Sequence, residues 1–138
     1  MTSTRTGVDT GALLALAHPR DQYHADASRI VRRLIAEGVV MVGTTLVLAE
    51  LHVLLLRHRG PERARTVISQ LLDDPSYEWV DASAALVREA VSAWLERFHD
   101  QRFSLTDAVS FEVMRRERIK EAFAFDEHFV TAGFELLR

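Results

Sequence analysis

Apolar residues recur along the chain in two rhythms. From Asp21 to Glu37, Tyr23, Ala27, Ile30, Val31, Leu34 and Ile35 return at steps of three and four, which predicts a helix capped by Asp21 and stopped by Gly38. VVMV at 39–42 is instead short, continuous and β-branched, the pattern of a strand buried on both faces, with Gly43 and Thr44 expected to break it. YEWV at 77–80 and AFAF at 122–125 repeat the short apolar form, and FELL is a short apolar end. Val8 and Asp9 close a fainter strand, because the preceding STRTG is polar.

Helical stretches fill the intervals. ALLALA follows Thr10 and ends at His18-Pro19, since proline disfavours helix at the residue before it. TTLVLAELHVLLL runs from Thr44, and Gly60-Pro61 opens another helix that ends near Asp74-Pro75. A long helix from Ser83 to His99 carries Leu86, Val87, Ala90, Val91, Trp94, Leu95 and Phe98 on one stripe. Ser104 or Thr106 caps the next, which ends in RRERIK. Short strands alternating with longer helices imply a three-layer α/β/α fold with a central, mostly parallel sheet of four to five short strands. No repeat or Pro/Gly/Ser-rich linker divides the chain, so residues 1–138 are expected to form a single domain.

Composition narrows the classes. A chain 48% hydrophobic and 27% charged is not a disordered one. The absence of cysteine removes disulfides, thiolate zinc sites and a cysteine nucleophile, and makes the cytoplasm the natural compartment. The longest greasy run is interrupted by Glu50 and His52 and is too short to span a bilayer, so no membrane association is expected. The formal charge of −3 does not favour a polyanionic partner. Committing four carboxylates to bound cations raises that balance by four, to +1, and RNA is then not excluded.

Four acids stand in special places. In an open parallel sheet, ligands bind beyond the carboxyl ends of the strands where strand order reverses. Asp9 follows the first strand and Asp126 follows AFAF; each also fits a helix cap or a turn. Asp107, in SLTDAVSFEVM, lies on a mixed face and also fits a helix start. Glu50 has Leu46, Val47, Val53 and Leu54 as its helical neighbours, so it is expected to point to the core, where an unpaired carboxylate costs several kcal/mol. Either an arginine partner or a metal shared with the other acids would compensate it. Oxygen-only ligation suits Mg²⁺ or Mn²⁺, and such ions promote phosphodiester hydrolysis.

The order of motifs resembles a known family. An early DT before a short apolar helix, a helical Glu some forty residues on, SLTDA, then FDEHF with GF shortly after, is similar to PIN domains. Over nearly the whole chain the likeness is strongest to the small PIN-domain toxins of VapBC-type toxin–antitoxin pairs. The resemblance implies an acidic cluster of Asp9, Glu50, Asp107 and Asp126 that holds one or two Mg²⁺ or Mn²⁺ ions. It also implies an endoribonuclease that cuts RNA by a metal-activated water, leaving a 5′-phosphate and a 3′-hydroxyl.

Thr10 is placed to support a ligand carboxylate or a water, and His128 to lie near the site. The implied partners are a second copy of the chain, in a homodimer, and a small antitoxin. The chain departs from the family in its polar first strand and in Ala124, where a threonine is common. The rival reading is a catalytically silent PIN fold serving as an RNA- or protein-binding module. Other phosphoryl-transfer and nucleotide-binding classes fail: position 11 is Gly where a DxDxT enzyme needs Asp, and neither GxGxxG nor GxxxxGK[ST] occurs. Trp79, Trp94 and the seven phenylalanines sit mainly at core spacing and are expected to pack rather than to stack on bases.

Overall fold

The computed structural model describes residues 4–138. Strand β1 (Arg5–Val8) leads into α1 (Thr10–Ala17) and α2 (His24–Ala36), then β2 (Val40–Thr44), α3 (Thr45–Asp73) and β3 (Tyr77–Val80). The chain continues through α4 (Ala84–Ala90), α5 (Leu105–Arg116), β4 (Glu121–Phe123), α6 (His128–Thr131) and β5 (Glu135–Leu136). The five strands form one sheet in the order β3-β2-β1-β4-β5, and every pairing is parallel. The three-layer reading therefore holds, with the polar-looking β1 at its centre.

Centrality explains how so polar a segment becomes a strand. β1 is hydrogen-bonded on both edges, with Gly7 opposite both Val42 and Ala122, so the ladder rather than side-chain propensity defines it. Thr6, buried, donates its hydroxyl to the Glu121 carbonyl at 2.8 Å.

Strand alternation sorts the core into two layers. Val8, Met41 and Phe123 face α1, α2 and α3, packing with Leu13, Ile30 and Leu51. Val42, Ala122 and Ala124 face the other way, against Trp94, Phe111 and Phe129. α3 is kinked at Gly60, whose φ of 83° lies in the left-handed region, and Pro61 starts its second half as the Gly-Pro pair predicts. The stripe beginning at Ser83 is not one regular helix: after Ala90 it widens into π-helical turns over Val91–Glu96.

β4 ends at Phe123, short of the 122–125 expected, and two further boundaries differ. β2 extends through Gly43 to Thr44, which ends the strand and caps α3, its Oγ1 accepting from the Val47 amide at 3.4 Å. Gly43 does not break the strand; it makes room in it, because a Cβ there would lie 2.6 Å from the Trp79 ring and 3.0 Å from Val8. Gly43→Ala is expected to cost about 1–3 kcal/mol by overpacking two rigid neighbours, read as a lower urea midpoint with an unchanged slope. Second, α2 begins at His24, not at Asp21. The Asp21 carboxylate accepts from the Tyr23 amide at 2.8 Å and closes the turn before the helix, which leaves Tyr23 outside the buried stripe.

The sequence reading also passed over Glu112. Its side chain is 1% exposed, accepts hydrogen bonds from Arg115 and Arg116 at 2.6 and 2.7 Å, and accepts from the Trp94 indole at 3.1 Å. The Arg115 guanidinium first, then Arg116 and Trp94, overcome the burial cost and hold its carboxyl down at about 2. The buried ion pair considered for Glu50 occurs here instead.

Candidate active site

Chain order reverses beside β1: from it the chain builds β2 and β3 on one side, then β4 and β5 on the other. A crevice opens beyond the carboxyl ends of β1 and β4, where the geometry of open parallel sheets places ligands. Asp9, Glu50, Asp107 and Asp126 all line that one pocket, delivered by the end of β1, by α3, by the start of α5 and by the loop after β4.

Asp9 is buried, at 7% exposure, and fixed by the sheet: its amide donates to the Phe123 carbonyl at 3.0 Å. It occupies the N-cap position of α1 but makes no side-chain capping hydrogen bond, so the plain helix-cap explanation does not account for its carboxylate. Burial, then the charge of Asp107, with smaller contributions from Asp126 and Glu50, pushes its carboxyl up to about 7, although the Thr10 amide works against the rise. The Thr10 hydroxyl is buried beside it without a hydrogen-bond partner among the described residues.

The helix-start reading of Asp107 is correct as far as it goes. Its Oδ2 accepts from the Ser104 amide at 3.1 Å while the Ser104 hydroxyl accepts from the Asp107 amide at 3.0 Å, a full capping box. The same Oδ2 lies 3.3 Å from His128 Nδ1, so the cap holds the carboxylate at the pocket wall. Asp126, more open, accepts from the His128 amide at 2.8 Å through Oδ1, an Asx-type turn that carries His128 over the pocket. Asp107, Asp126 and His128 bring ligand atoms within 4.8 Å of one another.

Glu50 does not point into the core. It is half-buried on the pocket wall, and Val53, one of its four apolar neighbours, is 50% exposed. The apolar spacing misled because those neighbours do not share one environment: Val47 is buried in the core, Val53 is exposed, and Leu54 lines the crevice beside Glu50.

Among the described residues no arginine or lysine is ion-paired with any of the four acids; His128 alone approaches two of them. Arg102 lines the pocket but is exposed. Asp9 and Glu50 line the same crevice outside the close Asp107–Asp126–His128 group, and acids gathered on one crevice beside the unpartnered Thr10 hydroxyl suit a hard divalent ion.

A parallel sheet with an acidic crevice at its switch point defines a class, and the chain belongs to it: residues 8–135 match the PIN domain family. Over 131 residues it is 33% identical to the 23S rRNA-specific endonuclease VapC20 of Mycobacterium tuberculosis, covering 95% of this chain and 96% of that one. The crystal structure of VapC20, a Sarcin-Ricin loop cleaving toxin, superposes with a TM-score of 0.81 at 32% identity, over 94% of this chain and 95% of that one. VapBC2 from Rickettsia felis, bound to a DNA fragment from their promoter, shares the fold with a TM-score of 0.67 at 15% identity, covering 96% of this chain and 97% of that one. Among the described residues no helix is long and apolar enough to cross a membrane.

Proposed function

We propose that this chain is a metal-dependent endoribonuclease, the toxin of a VapBC-type pair, with Asp9, Glu50, Asp107 and Asp126 holding Mg²⁺ or Mn²⁺. The observation that carries the reading is the convergence of four carboxylates from four separate elements on one crevice, with the buried Asp9 lacking any cationic partner. The 33% identity to an endonuclease over 95% of this chain supports the reaction class, and the substrate of that relative makes ribosomal RNA the first RNA to test. A silent binding module would leave the uncompensated Asp9 without a purpose.

When bound, the ion supplies a water of lowered pKa and neutralises charge on the phosphate. The chain's own residues supply position. Asp9 is fixed by strand pairing and Asp107 by its cap, so two carboxylates are held by backbone rather than by flexible side chains. His128, tethered through its amide to Asp126 and through its ring to Asp107, orients both. The Thr10 hydroxyl is available to a water in the crevice.

Binding of a cation relieves the repulsion among the acids, so metal stabilises the folded state by linkage. At 100 times its dissociation constant, Mn²⁺ is expected to add about 2.7 kcal/mol and raise the melting temperature by about 5 °C or more. A scanning-calorimetry trace that Mn²⁺ leaves unmoved while EDTA leaves RNA cleavage intact would remove the metal from the mechanism.

The partners we propose are a second copy of the chain and a cognate antitoxin. Val53 and Leu56, three residues apart on α3 and 50% and 44% exposed, leave apolar surface for such a contact. Co-expression with a cognate antitoxin should protect RNA from cleavage.

A further inference from the structure

We propose that Tyr23 and Phe125 form a stacking subsite for an unpaired RNA base beside the bond that is cut; this rests on the ribonuclease reading above. Three rings make a ladder that climbs from the core to the mouth of the acidic crevice. Phe123, fully buried in β4, meets Phe125 edge-on with centroids 6.2 Å apart and planes at 72°. Phe125 then stacks on Tyr23 almost in parallel, 4.5 Å apart at 6°. Tyr23 is 39% exposed and, like Phe125, lines the same pocket as Asp9 and Glu50.

The exposed ring is not loose. Its backbone is fixed by the Asp21 carboxylate, which accepts from the Tyr23 amide at 2.8 Å. The next residue, His24, is tied to α1 through a 2.8 Å contact between its Nδ1 and the Ala15 carbonyl. With one face on Phe125, the ring is still partly exposed on the pocket wall, and a base stacked there would extend the ladder by one rung. A pre-positioned aromatic lowers the entropic cost of that contact.

The electrostatics of the pocket favour such a device. Bound cations are spent on offsetting the four acids and on the phosphate at the cut, so holding a neighbouring base calls for attraction that does not depend on charge. Aromatic stacking provides it, accepts any base, and requires that base to be unpaired. Arg102, exposed on the same pocket, offers a cation to a neighbouring phosphate, and the Gln22 amide can reach a base edge.

The test uses the full chain with Mg²⁺ and a synthetic RNA hairpin carrying its mapped cleavage site in the loop. It also uses versions of that hairpin in which single loop bases near the cut are replaced by abasic residues. Tyr23→Leu keeps apolar cover on Phe125 but removes the π face, and Tyr23→Trp restores it. Tyr23→Leu is expected to lower kcat/KM by roughly 5- to 100-fold at an unchanged melting temperature, with Tyr23→Trp close to the original. One abasic position should cost the unmodified protein a similar factor and cost Tyr23→Leu nothing further, the signature of a shared contact. Equal cleavage by Tyr23→Leu, or penalties that multiply at every abasic position, would overturn the subsite while the ribonuclease reading stands. Failure of the unmodified protein to cut any RNA with Mg²⁺ or Mn²⁺ would overturn both.

Discussion

Asp9→Asn is expected to raise the melting temperature of the metal-free protein at pH 8 while abolishing RNA cleavage. The two effects have one cause. With its carboxyl at about 7 in the folded chain, against an ordinary value of 3.8, the native state holds a proton over a range in which the unfolded state has released it. Stability therefore falls as pH rises from about 4 through 7, by up to a few kcal/mol once Asp9 is charged. Asparagine keeps the shape and never ionises, so it removes that penalty and flattens the pH dependence. It also removes one of the proposed metal ligands, for which a loss of about 100-fold in cleavage is expected. Calorimetry of both proteins at pH 5 and pH 8 in EDTA, beside a cleavage assay in Mg²⁺, checks the pair. Asp9→Asn melting below the parent at pH 8 would show that Asp9 contributes to the fold as a charged group.

The second large effect lies away from the crevice. Removing the two cations around Glu112, as Arg115→Met with Arg116→Met, should destabilise the protein by about 3 kcal/mol, because a carboxylate 1% exposed is left in the core without a partner. Glu112→Met should cost less, roughly 1–2 kcal/mol. The two guanidinium groups are 60% and 46% exposed and return to water, so the main loss is an acceptor for the Trp94 indole. The depressed carboxyl also fixes a pH window: its stabilisation is complete above the ordinary value of 4.5 and is lost as pH falls toward about 2. Urea unfolding of the three proteins at pH 7 and pH 3 checks both the order and the window. The double arginine variant proving the milder of the two would mean that Glu112 reaches solvent or other partners.

How much was legible beforehand varied with the kind of signal. The apolar runs at 39–42 and 77–80, the Gly60-Pro61 break and the Ser104 cap were readable because each is local: neighbouring residues decide it. β1 was faint because two partner strands, not its own residues, hold it in place. Asp9 and Asp126 stood out by their places after strands, Glu50 by its apolar helical neighbours, and the four as a set by motif order; all of them line one crevice. The physical reason first given for Glu50 was mistaken, since helical spacing cannot tell a core-facing turn from one facing an opening.

Glu112 escaped notice among the charges of its helix, although its spacing of three and four to Arg115 and Arg116 was visible in EVMRR. Tyr23 was assigned to an apolar stripe because nothing local reveals that Asp21 would hold it outside the helix, against an aromatic a hundred residues away.

The claim on which the rest depends is that four acids from four elements hold one or two catalytic cations. Anomalous diffraction from a crystal soaked in Mn²⁺ tests it most directly. The expected result is a manganese peak in the crevice within coordination distance of Asp9 and of at least two of Glu50, Asp107 and Asp126. A fully diffracting, Mn²⁺-soaked crystal with no peak there, from a protein that still cuts RNA, would contradict it.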